Sequence, residues 1–165
     1  MKKINFIIIS TILFFNLINC AGYKPIYSSS NINFKIESHS LKGDKTLANL
    51  IYKKLYNSTF SNRDNLDAKS ISLSIETNKV KKPTVKNSAG KILEYEINLN
   101  TNITINDYLT DKIILNKKFN YSIGYKIQDA HSQTRELENK NIQDLVDKTY
   151  QDILIKISET ISLPW

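Results

Sequence analysis

Apolar positions along this chain recur with two periods, two and about 3.6, and the switches between them mark out six elements. Residues 33–38 alternate, with Ile32, Phe34 and Ile36 on one side, which predicts a short strand; a turn follows over 39–43. Asp44 stands where a helix N-cap belongs, and Leu47, Leu50, Ile51 and Leu55 recur at helical spacing through about Tyr56. Lys45, Asn49, Lys53 and Lys54 take the opposite face, so this helix has one buried stripe. Residues 57–69 break the pattern and predict a loop. Residues 70–77 alternate again, with Ile71, Leu73 and Ile75 against Ser72, Ser74 and Glu76. The segment 78–90 carries lysines, Pro83 and no carboxylate, and predicts either a long basic loop or a distorted strand edge.

The longest regular stretch is a pair. Over 91–106, Leu93, Tyr95, Ile97, Leu99, Ile103 and Ile105 share one face, and Glu94, Glu96, Asn98, Asn100 and Asn102 share the other. Over 112–127 the apolar set is Ile113, Leu115, Phe119, Tyr121, Ile123, Tyr125 and Ile127. Joined by 107–111, these predict a long antiparallel hairpin with one wet and one buried face. Both apolar sets fall on odd numbers, so facing residues must have an even sum and the loop an odd length. Centring on Leu109 opposes Ile105 to Ile113, Leu99 to Phe119, Ile97 to Tyr121, Tyr95 to Ile123 and Thr101 to Lys117. A one-residue slip would expose core side chains worth roughly 1.5–3 kcal/mol each.

After a connector over 129–134 the helical period returns through Leu137, Ile142, Leu145, Val146, Tyr150, Ile153, Leu154, Ile157 and Ile161, and Pro164 ends it. A helix of about 28 residues spans about 42 Å, close to the length of the hairpin strands at ~3.4 Å per residue. The order β-α-β-β-β-α with one apolar sheet face predicts an α+β two-layer sandwich: a four-stranded, mainly antiparallel sheet with both helices on one face.

The N-terminus changes the picture from a plain domain to an exported one. Lys2 and Lys3 precede an apolar run from Ile4, which is short for a membrane span and suits a secretory signal. The run ends in Leu17-Ile18-Asn19-Cys20, which resembles a lipobox, with Asn19 where a smaller residue is usual. Cys20 is the one cysteine of the chain. The resemblance implies cleavage before Cys20, an S-diacylglycerol thioether on its sulfur and an N-acyl group on its new amine. The competing reading is an ordinary signal with an incidental cysteine. Ala21 rather than Asp follows, which by analogy with enterobacterial sorting implies the outer membrane. The expected organisation is a signal over 1–19, a lipidated tether over 20–30 and a single domain over 31–165. Its net charge of +7 falls to +5 once Lys2 and Lys3 leave with the signal. That balance suits anionic partners such as lipid phosphates or sugar acids, while export argues against nucleic acid.

The lipobox, the start Cys20-Ala21-Gly22-Tyr23-Lys24-Pro25-Ile26-Tyr27, the element order and the long closing helix together resemble LptE, the lipopolysaccharide-assembly lipoprotein family, in its alphaproteobacterial branch. There a Cys-Gly-aromatic-x-Pro-Leu-Tyr start is usual, and Ala21 is an inserted residue here. The resemblance implies a lipid-anchored protein on the periplasmic face of the outer membrane. It implies a role as a plug inside an LptD-like β-barrel, assisting that barrel's assembly and contacting lipopolysaccharide. The residues alone leave open a lipoprotein that binds lipid or glycan ligands without a barrel partner.

Lys79, Lys81, Lys82, Lys86 and Lys91 form the densest charge cluster, with no carboxylate between Glu76 and Glu94. As point charges they suit the phosphates of lipid A or core sugars, against the plainer alternative of a solvated loop. His39 and His131 have no companions at metal-ligand spacing, and no Gly-x-Ser-x-Gly elbow is present. Glu94 and Glu96 share a strand face, which suits a wet surface better than acid–base chemistry. The expectation is therefore a protein with no catalytic residues, no metal and no cofactor beyond the lipid on Cys20.

Overall fold

The structure, a computed structural model, describes residues 34–59 and 67–161. Cys20, the signal over 1–19, the tether over 20–30 and the Pro164 stop lie outside the described residues. In chain order the elements are β1 (Phe34–Gly43), α1 (Lys45–Ser58), β2 (Lys69–Lys86), β3 (Ile92–Asp107), β4 (Ile113–Lys126) and α2 (His131–Ile161). The sheet order is β1-β2-β3-β4. β1 and β2 run parallel across the α1 crossover, and the other pairs are antiparallel.

Alternation decides the layers. Ile71, Leu73 and Ile75 of β2, Ile97, Leu99, Ile103 and Ile105 of β3, and Leu115, Phe119 and Tyr125 of β4 are buried on one face. Leu47, Ala48, Ile51 and Leu55 of α1 and Leu145, Val146, Ile153 and Ile157 of α2 join them in one core. The fold is the expected two-layer α+β sandwich, with both helices on that face. Asp44 caps α1 as its sequence position implies, its carboxylate accepting from Leu47 N at 3.2 Å.

Irregularities in the register of each strand pair account for most departures from the sequence reading. In β1 the register steps from Ile36↔Ile71 to Ser38↔Ser72, leaving Glu37 unpaired. Its inward set changes from Phe34 and Ile36 to His39 and Leu41. Residues 39–43 are therefore strand, not turn; a phase change within a short run looks like the end of a pattern. In β2 the pairing with β3 continues past Thr77 to Lys86 with Thr84 skipped. Of the two readings of 78–90, the distorted strand edge holds. β1 stops at Gly43↔Thr77, so among the described residues the far half of β2 pairs only on the β3 side.

The third pair is the hairpin. Tyr95 opposes Tyr125, Ile97 opposes Ile123, Leu99 opposes Tyr121 and Thr101 opposes Phe119, a register two residues from the expected one. Asp107 N–H donates to Lys112 O at 2.9 Å, which closes a loop of even length. One extra residue, Ile114, then restores the parity between Asn106↔Ile113 and Ile105↔Leu115. Faces are preserved by that even total shift. Ile113, expected in the core, is 61% exposed because it precedes the bulge, and Ile114 packs on the core instead. Leu93 and Ile127 are also exposed. α2 starts at His131, inside the expected connector, and its central line includes Asn141 and Thr149, with Ile142, Tyr150 and Leu154 half-buried at its margins.

Candidate functional site

No described element covers the even-numbered face of the sheet. Its rows follow from the register. Ser38 and Ser40 of β1 donate to Ser72 and Ser74 of β2 at 2.8 and 3.0 Å. The next row is Lys42, Glu76, Asn102 and Lys118, three charges and one amide, and then come Asn78, Asn100 and Asn120. These last two rows frame a shallow polar concavity of about 450 Å³ lined by Glu76, Asn78, Asn100, Asn102, Lys118 and Asn120. A twisted surface of short amides and hydroxyls offers many hydrogen-bonding groups at a small cost in side-chain entropy when a partner orders them.

The five lysines of the basic cluster do not form one patch. Lys79 and Lys81 pair with Leu99 and Ile97 and so project to the helix side, whereas Lys82 pairs with Glu96 on the opposite face. Lys86 opposes Ile92 at the end of β2, and Lys91 N–H donates to the Asn87 side chain in the turn beyond it. Lys81 is the most constrained. Its ammonium lies 2.6 Å from the Glu138 carboxylate of α2 and 4.3 Å from the centre of the Tyr95 ring, and Tyr125 Oη donates to the same Glu138 oxygen at 2.8 Å. Burial pushes the Lys81 ammonium down, but its interactions with Glu138 and Tyr125 together outweigh it and the net shift is upward. Burial likewise pushes Glu138 up, and its bonds to Lys81 and Tyr125 bring it below the ordinary carboxylate value. Lys82 pairs with Glu96 at 2.9 Å and holds that carboxyl low, with Asn98 assisting.

Lys81 thus ties the unsupported half of β2 to the first turns of α2. Beside it opens a cleft of about 680 Å³ whose walls include Lys81, Lys91, Tyr95, Ile127, Arg135 and Glu138. The sequence reading missed Glu138 and the two tyrosines as partners of Lys81. The signal was present in parity: Lys79 and Lys81 carry the same odd numbers as the core positions Ile71 to Ile75. Farther along β4, Tyr121 donates to Asp152 of α2, and burial together with that carboxylate pushes its hydroxyl up to about 12.

His39 stacks on Tyr52 with ring centres 4.0 Å apart, and His131 opens α2. Glu94 lies 3.8 Å from Lys126. Among the described residues no three His, Cys, Asp or Glu side chains gather as a metal-binding group, and no helix is long and apolar enough to cross a membrane.

No family model and no curated protein matches this sequence. Solved structures match it in fold. Lipoprotein B of Nitrosomonas europaea superposes with a TM-score of 0.61 at 15% identity, covering 86% of this chain and 93% of its own. Rare lipoprotein B of Shewanella oneidensis gives 0.54 at 16% identity, covering 76% and 96%. A minor lipoprotein of Acinetobacter baumannii gives 0.52 at 18% identity, covering 78% and 94%. All three are bacterial lipoproteins, and at such identities the likeness establishes the shared fold.

Proposed function

We propose that this chain is an outer-membrane lipoprotein of the LptE type. In this reading Cys20 carries the diacylglycerol and N-acyl groups, and the domain sits as a plug in an LptD-like β-barrel that it helps assemble. There it contacts lipopolysaccharide on its way to the cell surface, acting as a structural and binding subunit with no catalytic role of its own. The observation that carries the reading is the uncovered polar face of the sheet. Barrel lumens are polar and lined by hydrogen-bonding side chains, and a face of serines, asparagines and a few paired charges complements such a wall. The likeness in fold to three bacterial lipoproteins supports the anchored part.

The test is gentle detergent extraction of the tagged full chain from its native envelope. Recovery of a stoichiometric complex with one large outer-membrane barrel protein is the expected result, and recovery of the chain alone counts against the plug. The cleft beside Lys81 favours a second reading, a lipoprotein that takes an anionic lipid or glycan without a barrel. Saturable ligand binding by the barrel-free chain, lost on Arg135→Gln and Lys91→Gln, would support that one.

A further inference from the structure

Every residue of β2 from Asn78 to Lys86 is exposed, including Val80 at 50% and Val85 at 39%, yet the segment stays paired to β3. Its other edge has no partner strand among the described residues, because β1 ends at Gly43↔Thr77. Parity says what that edge offers. Thr77 O accepts from Asp44 N–H on the β1 side, and the N–H and C=O groups of alternate residues in a strand point the same way. Lys79 and Lys81 therefore each turn an N–H and a C=O away from β3, toward the side that β1 has left. Pro83 has the same parity, so the N–H it lacks is one that the β3 ladder would not have used. Val80, Lys82 and Val85 oppose Asn98, Glu96 and Glu94, which sets two exposed valines on the even-numbered face beside this edge.

A strand edge of this kind is completed by another extended backbone. Charge selects which one. Lys81 and Lys82 are matched by Glu138 and Glu96 at 2.6 and 2.9 Å, whereas Lys79 and Lys86 have no carboxylate within ion-pair distance among the described residues. A second copy pairing through the same edge would set lysines against lysines, which is unfavourable. The segment 21–33 ahead of β1 carries Lys24 and no acidic residue, so charge does not favour it either. Lysines and a proline also deter indiscriminate pairing, so the edge is selective. What fits is an extended segment with carboxylates near Lys79 and Lys86 and apolar side chains over Val80 and Val85. We infer that residues 79–83 of β2 pair, backbone to backbone, with an extended acidic segment of the barrel protein, which continues the sheet in line with β1. The inference rests on the plug reading and deepens it. A closed barrel has no free edge of its own, so the pairing segment belongs to a loop or terminal arm of that protein rather than to its wall.

The test places the photoreactive residue p-benzoylphenylalanine at Val80 of the full chain in its native envelope. Asn116, exposed on β4 on the same sheet face, is the reference position. Irradiation followed by peptide sequencing of the extracted complex should join position 80 to one acidic segment of the barrel protein outside its membrane strands. Position 116 should not reach that segment. Amide exchange over 79–81 should slow about tenfold or more in the complex relative to the chain alone. Lys79→Pro removes a donor that β3 does not use and should abolish the cross-link at 80. Lys79→Gln with Lys86→Gln keeps every backbone donor and should lower its yield severalfold, less so in high salt. A complex in which position 80 joins only barrel-wall strands, a second copy, residues 21–33 or nothing overturns the inference and leaves the plug standing. Unslowed exchange overturns it too, as does a full cross-link in a Lys79→Pro chain that keeps its circular dichroism. Recovery of the chain with no barrel protein at all removes the plug reading, and this partner with it.

Discussion

Replacing Gly43 by alanine tests why β1 leaves the sheet where it does. Gly43 has φ +71, and a Cβ built there falls 2.2 Å from Thr77 O and 2.9 Å from the Asn78 side-chain oxygen. Left-handed backbone alone costs a non-glycine residue about 1–2 kcal/mol. Thr77 O cannot withdraw, because Thr77 is wholly buried between β1 and β3 and that oxygen accepts Asp44 N–H at 2.6 Å. Relief of the clash requires giving up that bond, worth about 1 kcal/mol, or moving the N-cap away from α1. The expected cost is about 3 kcal/mol. Gly90 supplies the control: its φ is +78, yet nothing lies within 4 Å of a Cβ there. Gly90→Ala should therefore show the conformational part alone, about 1 kcal/mol. Urea unfolding followed by circular dichroism measures both. With m near 1.5 kcal/mol/M the Gly43 variant should lose about 2 M in midpoint at unchanged m. A Gly43→Ala midpoint no lower than that of Gly90→Ala would refute the claim that Thr77 O is a fixed obstacle.

Four further outcomes follow from the geometry. Lys81→Gln should cost about 1 kcal/mol or less, since both members of the Lys81–Glu138 pair keep contact with solvent. A double-mutant cycle with Glu138→Gln should give a positive coupling, and additive effects would remove the pair as a tether. The pair also has a pH signature. Glu138, held below its ordinary value, adds stability that is present at neutral pH and lost as pH falls through its folded pKa. Lys81, held above its ordinary value, adds stability lost only as pH rises through its folded pKa. Unfolding curves of Glu138→Gln against pH should flatten on the acid side relative to the parent, and an unchanged acid limb would contradict the assignment. In the core, the Thr77 and Thr101 hydroxyls lie 3.4 Å apart. Replacing either by valine strands the other and should cost about 1–2 kcal/mol, whereas replacing both should cost less than the sum of the singles by thermal unfolding. On the uncovered face, Asn100→Arg should leave stability within about 0.5 kcal/mol yet reduce recovery of the barrel complex, and undiminished recovery would move the docking surface elsewhere.

Much of this architecture was legible in one dimension. The parity of Ile71 to Ile75 and of Tyr95 to Ile105 specified which side of each strand is buried. Asp44 marked the start of the first helix, and the return of a 3.6-residue period marked the second. Those features are local, because a side chain's direction relative to its neighbours depends only on backbone geometry. By the same logic the alternation alone puts the asparagines of β3 and the serines of β2 on the wet face. Phase across a bulge was not legible. Glu37, Thr84 and Ile114 are unremarkable as residue types, and each is skipped because a neighbouring strand, not its own sequence, sets the hydrogen-bond ladder. The two-residue shift of the hairpin came from the Asp107 turn and the compensating Ile114, which no count of apolar positions reveals. The company Lys81 keeps was equally hidden, since Glu138 lies 57 residues away and meets it only when α2 folds back along β4. Alternation along the chain thus determined the faces and the layers. The alignment of strands and the pairing of charges were decided by tertiary contacts, because register is a relation between segments and each segment carries only half of it.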